Sequence, residues 1–172
     1  MSREQLCSQN TVDVLDLLPP FPIVLVSTRD NIITVNQIHY LTFRPLRIGV
    51  AIAHSRHTYD LLRDEGEFVV NVPDKSLIEA VKWCGSVSGR DVIKFAPDRL
   101  TPLALETVAA MGIAESPAQI ACRVSRELAF EHRTWFIGDV VAAQKRPAFS
   151  GQEALCCGRH DYRLPGDLVS PR

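Results

Sequence analysis

Residues 54–73 have the sequence HSRHTYDLLRDEGEFVVNVP, in which an amphipathic helix is followed at once by an apolar strand. The apolar spacing predicts the helix over residues 58–64, and the β-branched residues predict the strand EFVVNV. Two hydroxyls, a guanidinium and an imidazole stand together where the helix begins, on Ser55, Arg56, His57 and Thr58. The N–H groups at a helix start favour a bound anion, so these side chains suit a phosphate. The alternative is a helix capped by Thr58 beside a solvated arginine.

Strand-like segments lie on both sides of this unit. Five of them are rich in β-branched and apolar residues: FPIVLVST (21–28), IITVNQIHYLTF (32–43), LRIGVAIA (46–53), AQIACRVSRELAFE (118–131) and TWFIGDVVAAQ (134–144). The first two are predicted to pair as one hairpin, and the last two as a second hairpin that turns at His132 and Arg133. A further short strand is predicted within residues 154–162. Because strands outnumber the short helices, we expect an antiparallel barrel or sandwich with helical decorations.

A second helix and a glycine-containing loop follow the strand EFVVNV. The helix is predicted over residues 76–84, where Ser76 and Glu79 form a capping-box pattern. The loop GSVSGRDVIKF (85–95) again carries side chains that suit an anion, namely Ser86, Ser88, Arg90 and Lys94. It does not fit a Walker loop, because too few residues separate its glycines, or a nucleophile elbow, whose central serine is a valine here. No G-x-G occurs, which excludes the dinucleotide fingerprint of the Rossmann kind.

The composition limits the classes of partner. The chain has 172 residues, enough for one domain, and its 19 basic and 20 acidic side chains give a formal net charge of −1. No block of like charge occurs, so neither nucleic acid nor an anionic membrane is a predicted partner. No apolar run approaches the roughly 18 residues of a membrane helix. The N-terminal residues also lack the apolar region of a secretory leader, so a cytoplasmic location is predicted.

The cysteine and histidine patterns predict neither a disulfide framework nor a metal site. The five cysteines are odd in number and contain no C-x-x-C pattern. His54 and His57 are three residues apart but have no third ligand at a suitable spacing. These patterns favour cysteines that act as small apolar residues in a reducing compartment.

Several of these segments occur in a recognisable order. The most specific are R-x-T-Y followed by GEFVVN (residues 56–71), and CGSVSGRD followed by KF (residues 84–95). ESPA (115–118) and H-x-T-x-F-I-G (132–138) support them independently. The chain resembles the flavin reductase-like, FMN-binding split-barrel family, which includes flavoredoxins and short-chain flavin reductases. The resemblance covers about residues 15–165, the core of a single domain over residues 1–172.

The resemblance implies a mainly β fold, a six-stranded antiparallel split barrel with short helical decorations. It implies a homodimer, with FMN rather than FAD bound near the dimer interface. The implied phosphate contacts are Ser55, Arg56 and Thr58, flanked by Ala53 and His57, with Ser86, Ser88 and Lys94 closing around the cofactor. The implied contacts to the polar edge of the isoalloxazine ring are main-chain groups of Asn36, Gln37 and Ile38. Asn71 is either a further cofactor contact or a structural hydrogen bonder.

The resemblance also implies an NAD(P)H-dependent flavin reductase, with NAD(P)H as co-substrate and hydride passing to flavin N5. His132 occupies the family's H-x-T position and is the candidate catalytic contact, or else a turn histidine without a role. One alternative is an FMN electron carrier that acts with an electron-acceptor protein. Another is a barrel that has lost flavin and binds a different ligand. The chain departs from the family pattern at Ile93, where members often carry Asp.

Overall fold

In a computed structural model of the chain, the described residues are Leu15 and residues 17–96, 98–158 and 161–166. They include twelve β-strands and two α-helices. The strands are β1 (Phe21–Pro22), β2 (Val24–Ser27), β3 (Ile32–Val35), β4 (Ile38–Phe43), β5 (Leu46–Ala53), β6 (Glu67–Val72), β7 (Pro102–Leu105), β8 (Val108–Ile113), β9 (Ala118–Ala129), β10 (Arg133–Lys145), β11 (Cys156–Cys157) and β12 (Tyr162–Arg163). The helices are α1 (His57–Glu65) and α2 (Ile78–Ser86), and a 3₁₀ turn (Lys75–Leu77) directly precedes α2.

Seven of the strands form one antiparallel sheet in the order β3-β2-β6-β9-β10-β5-β4. The long hairpin of β9 and β10 lies at its centre, with β6 on one side and β5 on the other. Strands β7 and β8 form a separate hairpin, and β1, β11 and β12 form a small three-stranded sheet. Most of the backbone hydrogen bonding therefore lies in a single sheet.

The connection between β3 and β4 forces the large sheet to curl. These strands occupy opposite edges of the hydrogen-bonded order, yet only Asn36 and Gln37 separate them along the chain. Three residue steps span at most about 11 Å, so the two edges must lie close together. The Ala51 N–H donates to the Gln37 carbonyl at 3.0 Å and fixes the connection against β5. The sheet is a barrel split between β3 and β4, since no ladder joins these two strands within the described residues.

The structure confirms the predicted antiparallel, mainly β class and changes one predicted strand pairing. The helix predicted over residues 58–64 and the strand EFVVNV are both present. The segment 32–43, predicted as one strand of a hairpin, divides instead at Asn36 and Gln37: β3 pairs with β2, and β4 pairs with β5. This division gives the large sheet seven strands, one more than predicted. The two polar residues are exposed, so the chain can leave one edge of the sheet there and join the other.

Strands β2 and β6 are buried on both faces, which explains their continuous apolar sequences. Successive side chains of a strand point to opposite faces. In β2, Val24 and Val26 pack inside the curled sheet in the same cluster as Phe136. Leu25, between them, packs outside the sheet in a second cluster that includes Val81 of α2. The core therefore has one layer within the sheet and another between the sheet and α2.

Helix α2 is not capped as the sequence predicts. The side chain of Asp74 accepts a hydrogen bond from the Ser76 N–H at 2.9 Å and caps the 3₁₀ turn. Glu79, the predicted partner of Ser76, forms an ion pair with Lys82 at 2.8 Å instead. The capping-box prediction is wrong because the 3₁₀ turn starts the helical backbone earlier. The carboxylate of Asp74 therefore takes the N-cap position.

A polar side chain in the core ties strands β2, β6 and β8 together. Asn71 of β6 is completely buried. Its Nδ2 donates to the Leu25 carbonyl at 3.1 Å and to Ser27 Oγ at 2.8 Å, and its Oδ1 accepts from the Ile113 N–H at 2.7 Å. These are the contacts of a structural hydrogen bonder, one of the two roles that the sequence allows for Asn71.

We predict that Asn71→Ala destabilises the fold. The substitution leaves the Ile113 N–H and the Leu25 carbonyl without their partner, and each unmet buried group costs about 1–3 kcal/mol. The free energy of unfolding, measured by urea denaturation, should fall by about 3 kcal/mol. Gln152→Ala, which removes an exposed amide, should change it by less than about 0.5 kcal/mol. Equal effects of the two substitutions would contradict the structural role of Asn71.

Candidate cofactor site

The first predicted anion-binding segment forms the turn that joins β5 to α1. Ala53 ends β5, and its carbonyl accepts a hydrogen bond from the Arg56 N–H at 3.0 Å. Arg56 is the N-cap residue of α1, and its side chain makes no capping hydrogen bond to the described residues. The first N–H groups of a helix have no partner within the helix, so those at His57 and Thr58 are placed to meet an acceptor. Ser55 and Arg56 are exposed, and the helix start therefore faces solvent.

Thr58 is held from behind by Asn31. The side chain of Thr58 is buried, and its Oγ1 accepts a hydrogen bond from Asn31 Nδ2 at 2.8 Å. The alternative in which Thr58 caps α1 is wrong, because the N-cap residue is Arg56 and Thr58 lies inside the helix. A hydroxyl that accepts one bond can still donate its proton. Thr58 thus retains a donor at the helix start.

The second predicted segment meets the first. In the loop that follows α2, Arg90 Nη1 donates to the Ser55 carbonyl at 3.3 Å, and Arg90 Nη2 lies 2.6 Å from Asp60 Oδ2. Gly89 packs directly on Asn31: a Cβ at this position would lie 2.1 Å from Asn31 Oδ1. The loop backbone can come this close only because residue 89 is glycine. The structure therefore brings the two phosphate-suited segments to one place.

Lys94 lies beneath the point where the two predicted anion-binding segments meet, and its side chain is almost fully buried. Its Nζ donates to the Ile32 carbonyl at 2.7 Å and to the Cys84 carbonyl at 3.0 Å. Burial lowers the pKa of Lys94, and the nearby Arg56 guanidinium lowers it further, whereas Cys84 opposes the shift. Burial also raises the pKa of the Cys84 thiol to about 11, so this thiol is neutral at neutral pH. An ammonium carries three N–H donors, and two carbonyls do not exhaust them.

The remaining predicted residues of the loop lie at its exposed start. Ser86 is exposed, and its Oγ donates to the Trp83 carbonyl at 2.9 Å. Ser88 Oγ accepts from the Arg90 N–H at 3.2 Å. Ile93, the departure from the family pattern, is 75% exposed and faces solvent. The role of the two serines toward a cofactor stays a prediction.

A cleft of about 950 Å³ is lined by four further predicted site residues. Its lining includes Asn36, Gln37, Ile38 and His132, which the sequence places at the flavin ring and at the reacting face. The lining also includes residues that the sequence does not single out, among them Phe21, His39, Phe130, Arg133, Trp135 and Arg163. Two acidic side chains, Glu131 and Asp161, complete the polar part of this lining. The mixture of aromatic, apolar and charged side chains suits a planar ligand with polar groups.

Strand β5 and its continuation connect the cleft to the helix start. The Ala51 N–H holds the Gln37 carbonyl at 3.0 Å, and the His54 N–H donates to the His132 carbonyl at 3.1 Å. His54 Nε2 also lies 3.1 Å from Thr134 Oγ1 of β10. The cleft and the phosphate-suited turn are therefore held in a fixed relation by residues 51–56. Asn71 lies apart from both, in the core.

Sequence analysis misses Asn31 and Asp60 as parts of this site. Asn31 belongs to a stretch that the sequence marks only as a turn, and Asp60 follows the predicted anion segment without any distinguishing pattern. Their partners, Thr58 and Arg90, lie 27 and 30 residues away along the chain. No local pattern could have found either contact.

The described part of the chain contains neither a cluster of metal ligands nor a membrane-spanning helix. No three His, Cys, Asp or Glu side chains lie together there as a metal ion requires. No helix of the described residues has both the length and the apolar composition needed to cross a membrane. Cys84, Cys122, Cys156 and Cys157 are free thiols. Cys7 and His160 lie outside the described residues.

The fold and the site together define a class of protein. In this class a curled antiparallel sheet carries a phosphate-suited helix start beside an open cleft. The sequence of residues 19–164 matches the model of the flavin reductase like domain, and the chain belongs to this family. An uncharacterized protein of Archaeoglobus fulgidus is 33% identical to the chain over 141 residues, which are 80% of both sequences. The resemblance seen in the sequence is thereby confirmed.

Solved structures of three proteins share the fold. A flavoredoxin from Methanosarcina acetivorans has a TM-score of 0.86 and 21% identity, covering 99% of this chain and 95% of that one. An FMN-binding protein from Thermus thermophilus has a TM-score of 0.85 and 21% identity, covering 98% and 100%. An NADH:FAD oxidoreductase from Streptomyces globisporus has a TM-score of 0.83 and 18% identity, covering 98% and 100%. At these identities the similarity establishes the fold alone.

Proposed function

We propose that the chain is an FMN-binding oxidoreductase of the flavin reductase type, with NAD(P)H as the hydride donor. One observation carries the proposal: the two segments predicted to bind phosphate meet at the start of α1. They lie beside a cleft that is lined by residues 36–38, the predicted contacts of the flavin ring. Membership of the flavin reductase like family supports a flavin. The similarity to proteins named flavoredoxin and FMN-binding protein, and the lack of an adenine-dinucleotide motif, favour FMN over FAD.

The helix start would hold the phosphate of FMN. Arg56 would supply a charge-assisted hydrogen bond, and the N–H groups at the start of α1 would add the helix dipole. The hydroxyls of Ser55 and Thr58 would donate to the same group, with Ala53 and His57 shaping the turn. Ser86, Ser88 and Lys94 would close the opposite side of this pocket.

FMN, when bound, would supply a flavin ring able to take a hydride from NAD(P)H and to pass the two electrons to an acceptor. The segment Asn36–Ile38 would present main-chain groups to the polar edge of the ring, held in place by the bond between Ala51 and Gln37. His132 is exposed at the cleft, and its carbonyl is fixed by His54, so its imidazole can contact a nicotinamide or hold a proton beside the ring.

The phosphate hypothesis predicts that Arg56→Ala weakens FMN binding by about tenfold to more than a hundredfold. A charge-assisted bond to phosphate contributes about 1.5–3 kcal/mol. Riboflavin lacks the phosphate, so its affinity should stay nearly unchanged, and both affinities can be measured by flavin fluorescence titration. Arg63→Ala, in the last turn of the same helix, is the matched control and should change neither. Equal losses for FMN and riboflavin would show that Arg56 acts through the ring or the fold.

The reductase hypothesis predicts rapid bleaching of flavin absorbance when the FMN-loaded chain is mixed with NADH or NADPH in a stopped-flow instrument. His132→Ala should slow this reduction, whereas His39→Ala, another exposed histidine that lines the cleft, should leave it nearly unchanged. Slow reduction by both nucleotides, together with fast reduction by a protein donor, would favour the electron-carrier alternative. The similarity in fold to flavoredoxin is the observation that keeps this alternative in view.

A homodimer is part of the proposal. Several large apolar side chains of the sheet are exposed, including Tyr40, Leu41 and Phe43 of β4, and Leu128 and Phe130 near the turn between β9 and β10. Exposed apolar surface of this kind on a small protein is typical of an interaction surface. The free thiols of the described cysteines support the related proposal of a reducing, cytoplasmic compartment.

The dimer hypothesis predicts a mass of twice 19.2 kDa by light scattering. Phe43→Asp should shift the equilibrium toward the monomer, because it places a charge where 74% of an aromatic side chain is now exposed. Ile93→Asp, on an equally exposed residue of the loop after α2, should leave the mass unchanged. A stable wild-type monomer with bound flavin would overturn the dimer proposal.

A further inference from the structure

An ion pair joins the loop after α2 to the first helix at the edge of the phosphate-suited pocket. Arg90 Nη2 lies 2.6 Å from Asp60 Oδ2 in α1, and Arg90 Nη1 donates to the Ser55 carbonyl at 3.3 Å. One guanidinium therefore contacts both the helix and the turn that precedes it. The side chains of Arg90 and Asp60 are 46% and 54% exposed, so the pair lies at the surface.

The two ends of this loop, which we define as residues 87–93, are fixed by other contacts. At the start, the Val87 N–H donates to the Trp83 carbonyl at 3.2 Å, and Gly89 packs on the buried Asn31. Beyond the end, the buried Lys94 Nζ is held by two carbonyls. The contacts of Arg90 lie between these anchors. They join the middle of the loop to α1 and to the turn before it.

Asp60 is an unexpected residue beside a pocket for an anion. Its carboxylate lies in the first turn of α1, where it opposes a bound phosphate through Coulomb repulsion and competes with it for the helix dipole. A carboxylate at this position would weaken phosphate binding if it did nothing else. Its contact with Arg90 is the structural feature that offsets this effect.

We infer that Asp60 and Arg90 form a clasp that positions the loop of residues 87–93 over the phosphate pocket. The inference rests on the proposed binding of FMN. Asp60 acts only through Arg90, and Arg90 acts by holding the loop against Ser55 and α1. Both are positioning residues, distinct from the direct phosphate contact proposed for Arg56.

The direction in which one substitution changes FMN affinity separates this role from a simple charge effect. Asp60→Asn removes a negative charge near the pocket, so electrostatics alone would tighten FMN binding. The clasp predicts the opposite, a loss of about two- to fivefold in affinity, which is the size typical of an exposed ion pair. Asp64→Asn, which removes an exposed carboxylate one turn further along α1, is the matched control and should leave the affinity unchanged.

The double variant tests whether the two residues act as one unit. Arg90→Ala should weaken FMN binding about as much as Asp60→Asn, and Asp60→Asn with Arg90→Ala should lose no more than either alone. Additive losses, tighter binding in Asp60→Asn, or a much larger loss in Arg90→Ala would overturn the clasp. The last result would make Arg90 a direct phosphate ligand.

Hydrogen–deuterium exchange of the ligand-free chain provides a readout that does not depend on FMN. Asp60→Asn and Arg90→Ala should raise exchange in residues 87–93 severalfold, and Asp64→Asn should not. Unchanged exchange in this loop would overturn the inference. If the wild-type chain bound no FMN, the proposed function would fail, and the exchange experiment would still decide whether the pair positions the loop.

Discussion

The two-residue crossing from β3 to β4 is the constraint on which the rest of the structure depends. It joins the two edges of one sheet, so the sheet must curl, and its inner face becomes a closed core that includes Phe68 and Phe136. The crossing also fixes the position of the cleft, because Asn36 and Gln37 line it. Their attachment to Ala51 places the cleft beside β5, the strand that runs directly into α1. Both parts of the candidate site are thus positioned by one strand.

The phosphate-suited pocket shows how buried polar contacts organise a site before any ligand binds. Burial lowers the pKa of Lys94, and two carbonyls that accept hydrogen bonds from its Nζ compensate for part of its lost hydration. Asn31 supports Thr58 from behind, and the missing side chain of Gly89 lets the loop pack on Asn31. At the helix start Arg56 makes no capping hydrogen bond to the described residues, whereas the charge of Arg90 is paired with that of Asp60. The guanidinium of Arg56 and the helix start together favour an anion, although the whole chain is nearly neutral.

Proteins named for different functions share this fold. A flavoredoxin and an NADH:FAD oxidoreductase superpose on this chain at identities of 21% and 18%. A flavin enzyme needs its protein chiefly for position and electrostatics, so the barrel can be kept while electron donors and acceptors change.

The sequence alone determined the elements and residues whose signals are local. Helix α1, strand β6 and the long hairpin of β9 and β10 follow from apolar periodicity and turn residues, and the anion-suited side chains at residues 55–58 follow from their position at a helix start. Side-chain spacing within a few residues is enough to reveal such features. The resemblance to the family, carried by its motifs, additionally predicted that residues 55–58 and the loop of residues 85–95 lie at the same cofactor.

Only the tertiary structure decided how these elements meet. In the folded chain the segment 32–43 is divided between the two edges of the sheet. Asp74 caps the 3₁₀ turn that precedes α2, and Asn71 lies in the core. The tertiary structure also paired Arg90 with Asp60 and Asn31 with Thr58, across 30 and 27 residues. Contacts at such separations leave no periodic or local trace, because the chain between them is free to vary. They exist only once the sheet has curled and brought β5, α1 and the loop after α2 to the same side.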